Sequence, residues 1–185
     1  MDVELGPGVL LVAAIGLSDG VFDQTVVLLI DQDDNGKVGV VLNQFSGYDI
    51  SSALPQWAKL ISEPQVLFDG GPVSKRGAIC LATPIGDDEP PGWRPVFDGV
   101  GLLNLDTPTE IADGAYSSLR VFAGYAGWDA GQLEKEIEFG MWYVVAAQPE
   151  DVFDPHPQTL WQRVLRRQGG DLALYSTWSK ASELN

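Results

Sequence analysis

Apolar residues in this chain gather mainly in short continuous runs. Val9 to Ala14 and Thr25 to Ile30 are rich in Val, Leu and Ile and flanked by Gly and Asp, which predicts buried strands. Val38 to Leu42 predicts a third. Between the first two, "IGLSDGVFDQ" is punctuated by Gly16 and Gly20, with Leu17 and Phe22 placed to anchor the connection. Asn35-Gly36 predicts a two-residue hairpin turn, because both residues tolerate the positive φ of type I′.

Helical spacing takes over at Leu54, Trp57, Ala58 and Ile61, predicting a helix capped by Ser51 or Ser52 with Pro55 in its first turn. Strands at Gln65 to Phe68 and Ala78 to Ala82 flank "DGGPVSKRG". The segment Thr83 to Pro95, rich in proline and acid, reads as a long exposed loop. Leu102 to Leu105 predicts a strand, and "TPTE" (Thr107 to Glu110) has capping-box spacing before a short helix. The pattern continues with a strand at Leu119 to Ala123, a helix at Ala130 to Phe139, a strand at Met141 to Ala147 and a helix at Gln158 to Gln168. Leu160, Trp161, Val164 and Leu165 form the inner face of that last helix. Strands outnumber helices without regular alternation, which favours an α+β domain with a mixed or curved sheet.

At 185 residues and 45% apolar, the chain is expected to bury one core in one domain. No stretch approaches the ~20 apolar residues of a membrane span, and Asp2 and Glu4 replace the basic start of a secretory signal. A soluble cytoplasmic protein is the expectation. One cysteine, Cys80, and one histidine, His156, leave no internal disulfide, no cysteine metal cluster and no two-histidine site within the chain. Neither a metal nor a cofactor is expected. The formal net charge of -15 disfavours direct nucleic-acid binding. Arg163, Arg166 and Arg167 cluster, but in the last turn of a helix, where cations answer exposed carbonyls.

"DQDDNG", residues 31 to 36, has the opening spacing of a calcium loop. The twelfth position, however, is Leu42 where a bidentate glutamate is required, and the preceding "TVVLLI" is a strand where a helix is required. A solvated hairpin tip is the simpler reading.

"FAGYAGWDAGQLEKEI", Phe122 to Ile137, reads as a strand, a glycine-rich turn and a helix whose cap is Asp129, with Gln132 three residues on. It lacks the lysine and hydroxyl of a P-loop and the dinucleotide glycine spacing, and Asp129, Glu134 and Glu136 oppose an anion. Close packing under Tyr125 and Trp128 explains its glycines more simply than a ligand does. "DGGPVS", Asp69 to Ser74, offers a second turn whose N–H groups can converge as nests do. If the two turns meet, Ser74, Asn43 and Tyr125 line one polar pocket. Glu134 and Glu138 share a helical face that reads as solvated. Ser18, Ser74 and Cys80 lack a nucleophile elbow, and Cys80, inside an apolar strand, reads as an inert core thiol.

Together "GVLLVA", "LSDGVFDQTVVLLI", "NGKVGVVLN", "GGPVS", "GYAGWDAGQLEKEI" and the late "LW" helix resemble the YqgE/AlgH family of bacterial proteins, from about Gly8 to Gly169. The resemblance implies one domain over 1–185, with a core at about 8–169, a C-terminal tail at 170–185, and a complex, partly barrel-like sheet surrounded by helices. It implies no established activity, although some members are described as transcriptional regulators. Asp19, Phe22, Thr25, Asn43, Gly70, Gly71, Pro72, Gly124, Tyr125, Gly127, Trp128, Gly131, Gln132 and Glu134 match the family's characteristic positions. The chain departs at "QF" after Asn43, where a basic residue and proline are common, and at Cys80, where histidine is frequent.

Two functional expectations follow. The first is a non-enzymatic regulatory or binding protein acting through an unknown protein or small-molecule partner, with candidate binding residues Asp19, Asn43, Gly70, Gly71, Ser74, Gly124, Tyr125, Gly127, Trp128, Gln132 and Glu134. The second is a small hydrolase-like enzyme with a pocket between "GGPVS" and "GYAGW" and Asp19 or Glu134 as base.

Overall fold

A computed structural model describes residues 3–17 and 22–177. These hold ten strands and six helices. The first four strands are β1 (Val9–Ala13), β2 (Val26–Asp33), β3 (Gly36–Val41) and β4 (Phe45–Asp49), followed by α1 (Ile50–Ala53). Then come β5 (Val66–Asp69), β6 (Val73–Pro84), β7 (Trp93–Phe97), β8 (Val100–Leu103) and α2 (Thr109–Ala112). The chain continues through β9 (Tyr116–Asp129), α3 (Gln132–Glu138), β10 (Trp142–Ala146), α4 (Pro149–Val152), α5 (Leu160–Gln168) and α6 (Gly170–Tyr175). Thus α6 begins inside the stretch expected as a tail, and Tyr175 stacks on Tyr143 of β10 at 5.8 Å.

Pairing runs β10-β1-β2-β3-β9-β6-β8-β7, with β5 parallel to β9 and β4 on the outside of β5. The strand β9 joins two halves, since its Ala126–Asp129 end pairs with β3 while its Tyr116–Tyr125 part pairs with β6. The result is a single α+β domain with a curled, half-barrel sheet.

Covering of both sheet faces explains the continuous apolar runs. Leu10, Val12, Val26, Leu28 and Val40 point into one core with Phe68, Leu81 and Phe122 from the other half of the sheet, and α5 fills that interior with Trp161, Val164 and Leu165. Their odd-numbered neighbours Val9, Leu11, Val27, Leu29 and Val41 face a second cluster closed by Leu133 of α3 and by Trp128 and Trp142. Each such side chain taken wholly from water contributes about 1.5–3 kcal/mol. A third cluster, around Trp57, Ile61, Cys80, Leu119 and Val121, lies under the α1 segment.

Several local expectations are corrected. The helix expected to Ile61 ends at Ala53; Asp49 caps it, accepting from the Ser51 N–H, and only a short 3₁₀ turn, Ala58–Leu60, follows Pro55. The Thr83 to Pro95 loop is shorter than expected, because Trp93–Phe97 forms an edge strand that tolerates Pro95. At "TPTE", Pro108 occupies the cap position and no side chain caps α2. The hairpin stands, but Asp33 pairs with Gly36, so its loop is Asp34-Asn35, neither of which has positive φ. Arg163 and Arg167 leave the helix-end carbonyls alone and pair with Asp154 and Asp151.

Candidate functional site

The largest correction concerns "GYAGW". It lies within a 14-residue strand, broken only by the positive φ of Gly124, and the turn is confined to Ala130 and Gly131. Glycine is needed there for close approach within a sheet. Between Val73 and Ala78 of β6 the register with β9 slips, so that Ser74 to Gly77 loop out opposite Gly124. At the slip Gly124 has φ +75, and an added Cβ would sit 2.5 Å from the Gly71 carbonyl oxygen. Gly71, at φ +148, would meet the Ala126 nitrogen at 2.6 Å, and Gly70 would meet the Phe122 Cβ at 2.9 Å. The Gly70 N–H donates to the Ala123 carbonyl at 2.8 Å. The two glycine segments therefore do meet, and backbone fills the space between Gly70, Gly71 and Gly124.

The expected pocket members separate accordingly. Asn43 has its amide committed, donating to the Gln24 carbonyl at 2.9 Å and accepting from the Val26 N–H at 2.9 Å. Ser74 lies at the start of the loop-out, with φ +51. Val73 of the first segment and Tyr125, Gly127 and Trp128 of the second do line one cleft of about 360 Å³, together with Asp31, Asp33, Asn35 and Lys37 of the hairpin. Gln132 and Glu134 lie on α3, while Asp19 is outside the described residues.

Electrostatics at the hairpin cleft are largely self-satisfied. Lys37 donates to Glu134 Oε1 at 2.6 Å, and that hydrogen bond holds the Glu134 carboxyl below its ordinary range. The Glu134 side chain is 45% exposed, in keeping with the solvated-face reading, although its Oε2 is buried without a partner. Asp33 accepts from the Asn35 and Gly36 N–H groups, and Asp31 faces Arg94 at 3.4 Å. Among the described residues no three His, Cys, Asp or Glu side chains gather as a metal site.

The cap of α3 also differs from expectation. Gly131, at φ +80, takes the cap position, and only the return half of the capping box forms, with Gln132 accepting from the Asp129 N–H at 3.0 Å. The anchoring residue is Glu136. Its Oε2 accepts from both Trp128 Nε1 at 2.8 Å and Trp142 Nε1 at 2.9 Å, and Gln132 donates to its Oε1 at 3.2 Å. One carboxylate thus fastens α3 to two strands across an edge-to-face indole pair.

Two features escaped the sequence reading. Arg120 of β9 is fully buried, donating to the carbonyls of Glu63 (2.6 Å), Val152 (3.0 Å) and Asp154 (2.9 Å), with its guanidinium 4.5 Å from the centre of the Phe68 ring. Burial lowers its pKa to about 10, against the pull of Asp154, so it stays cationic at neutral pH. The second is a cleft of about 340 Å³ between β4, α1 and the looped-out part of β6, lined by Tyr48, Ser52, Leu54, Leu67, Lys75 and Arg76 among others. A "KR" pair beside "GGPV" in so acidic a chain was the one available signal. Cys80 is buried, and burial pushes its thiol up to about 12, leaving it protonated at neutral pH.

Fold and clefts together define a class: a single-domain α+β scaffold that couples a half-barrel sheet to open surface clefts. A family model described as AlgH-like matches residues 10–173, and this chain belongs to that family. The UPF0301 protein of Streptomyces avermitilis is 48% identical over 188 residues, covering 100% of this chain and 97% of that protein. The UPF0301 protein of Mycobacterium tuberculosis is 41% identical over 173 residues, covering 92% of this chain and 86% of its own. Among solved structures, protein DIP2367 of Corynebacterium diphtheriae superposes with a TM-score of 0.91 at 31% identity, covering 96% of this chain and 95% of that one. The AlgH protein of Pseudomonas aeruginosa, UPF0301, gives a TM-score of 0.70 at 26% identity, covering 97% and 98%. The resemblance read from the motifs is thereby borne out. These relatives bring no defined activity.

Proposed function

We propose that this protein is a non-enzymatic binding protein, regulatory in role, that acts on a protein or small-molecule partner in the cytoplasm. The observation that carries the reading is the close packing of Gly70 and Gly71 on Gly124, where backbone leaves no room for a substrate, while the cleft beside it, lined by Val73, Tyr125 and Trp128, has its lysine, Lys37, paired with Glu134. Among the described candidates, the thiol of Cys80 is held protonated and Glu134, the candidate base, is paired with Lys37. Direct DNA binding is disfavoured by the charge of -15 and by the engagement of Arg163 and Arg167 with Asp154 and Asp151, which leaves Arg166 of that cluster unpaired.

Affinity purification of the tagged chain from native cells, with mass spectrometry of proteins and small molecules, tests this. A stoichiometric partner lost on substitution of surface cleft residues is the expected result. Turnover of a substrate that falls at least about 100-fold in Tyr125→Phe or Glu134→Gln would overturn it. So would a salt-sensitive shift of labelled duplex DNA that Arg166→Ala abolishes.

A further inference from the structure

We propose that the cleft between β4, α1 and the β6 loop-out is a docking site for an acidic peptide segment of a protein partner, one that carries an apolar side chain flanked by carboxylates. This deepens the binding-protein reading and rests on it.

Three observations converge. The cleft, at about 340 Å³, falls within the range of formed binding sites, and its floor is apolar, with Leu54, Leu67, Ala78 and Ala123. Its rim carries Tyr48, 73% exposed, which offers a large rigid contact area at low entropic cost. On the opposite rim the register slip pushes Lys75 and Arg76 out of the sheet, side by side.

Charge chooses the occupant. Half of the cations of the described residues are committed elsewhere, Lys37 to Glu134, Arg94 to Asp31, Arg163 to Asp154 and Arg167 to Asp151, with Arg120 buried, and of the other half Lys75 and Arg76 line this cleft. At the cleft Arg76 has no ion-pair partner, and Lys75 makes only a loose 3.4 Å contact with Asp69 that an incoming carboxylate can replace. Asp49 also lines the cleft, but its carboxylate is turned to the Ser51 N–H and hydroxyl at the start of α1. The open mouth and the exposed tyrosine favour a chain segment over an enclosed small molecule.

The test is a titration of the ¹⁵N-labelled protein, followed by NMR, with the blocked hexapeptide Glu-Asp-Leu-Phe-Asp-Glu, its Gln/Asn twin, and sodium octanoate as a free small acid. Saturable shifts centred on the amides of Tyr48, Ser52, Lys75, Arg76 and Ala78 are expected with the acidic peptide. Affinity should fall about tenfold or more for the uncharged twin and for the double variant Lys75→Glu, Arg76→Glu, and stay unchanged in Lys59→Glu, Lys135→Glu. Unchanged spectra away from the loop would show that the variants fold. No saturable shift up to about 5 mM peptide, shifts centred elsewhere, or tighter binding of octanoate than of peptide would each overturn the proposal. If a partner is still recovered from cells in any of these cases, only the docking site falls and the binding-protein reading stands.

Discussion

Replacing Arg120 by methionine is the sharpest probe of how this fold is held. The guanidinium links three separate pieces of chain, since β9 carries it and its hydrogen bonds end on Glu63, before β5, and on Val152 and Asp154, around the end of α4. A hydrogen bond from a charged donor is worth about 1.5–3 kcal/mol, so the three together amount to roughly 5–9 kcal/mol. Stacking over Phe68 adds about 1–2 kcal/mol. Against this, methionine no longer has to bury a cation, which recovers several kcal/mol. The loss wins because the carbonyls stay buried without a donor, and the net cost is estimated at about 2–5 kcal/mol.

Urea unfolding of wild type and Arg120→Met, monitored by tryptophan fluorescence, measures it at constant m-value. Arg120→Lys should be destabilised comparably, because an ammonium still costs desolvation yet lacks the planar fork that reaches two loops at once. Hydrogen exchange should accelerate around residues 150–156 before it does in β1 and β2. A methionine variant within about 0.5 kcal/mol of wild type, or full rescue by lysine, would refute the linking role.

Three further outcomes are expected. Glu136→Ala leaves two buried indole N–H groups unpaired and should cost about 2–4 kcal/mol, with a red-shifted emission as α3 loosens; an unchanged spectrum and melting temperature would contradict that. Gly71→Ala forces a Cβ onto the Tyr125–Ala126 backbone and should cost at least about 3 kcal/mol, whereas Gly131→Ala, with positive φ but open space, should cost about 1–2; equal costs in urea unfolding would refute the packing role. For Cys80 the folded pKa of about 12 lies above an ordinary value of 9.0, so the folded state keeps a proton the unfolded chain releases. That stability is complete below pH ~9 and is lost as pH rises towards ~12, by about 1.4 kcal/mol per unit, so Cys80→Ala should show a shallower decline than wild type between pH ~9 and ~10. Parallel curves would contradict it.

The elements legible in the sequence are those whose burial is simplest. β1, β2, β3 and β10 stand out because cores press on both faces and leave uninterrupted apolar runs. β9 was half legible, because glycine at Gly124 and Gly127 reads locally as a turn, while Gly124 is required by the Gly71 backbone some 50 residues away in the chain and nothing in the packing requires Gly127. The helix expected to Ile61 failed because helical spacing of Leu54, Trp57 and Ile61 also fits an irregular segment laid on a core. Arg120 in "SSLRVFAG" looks like the polar face of a half-exposed strand, and only the closure of the half-barrel makes it interior. The second cleft depends on three segments meeting, and spacing along the chain carries no trace of that.

Charge and topology act together in the consequence for partners. A body with net charge -15 repels acidic chains over distances of the Debye length, about 8 Å at physiological salt, wherever its surface is representative of the whole. An acidic segment is therefore turned away from most approaches, the hairpin with Asp31, Asp33 and Asp34 above all. The loop-out of β6 offsets the local negative charge of Asp49 and Asp69 with two cations, Lys75 and Arg76, beside the close backbone approach that Gly70, Gly71 and Gly124 allow. Rejection elsewhere and acceptance at one edge amount to a difference in affinity, which is what specificity is. On this view Gly70, Gly71 and Gly124 contribute to function indirectly, by fixing where Lys75 and Arg76 stand.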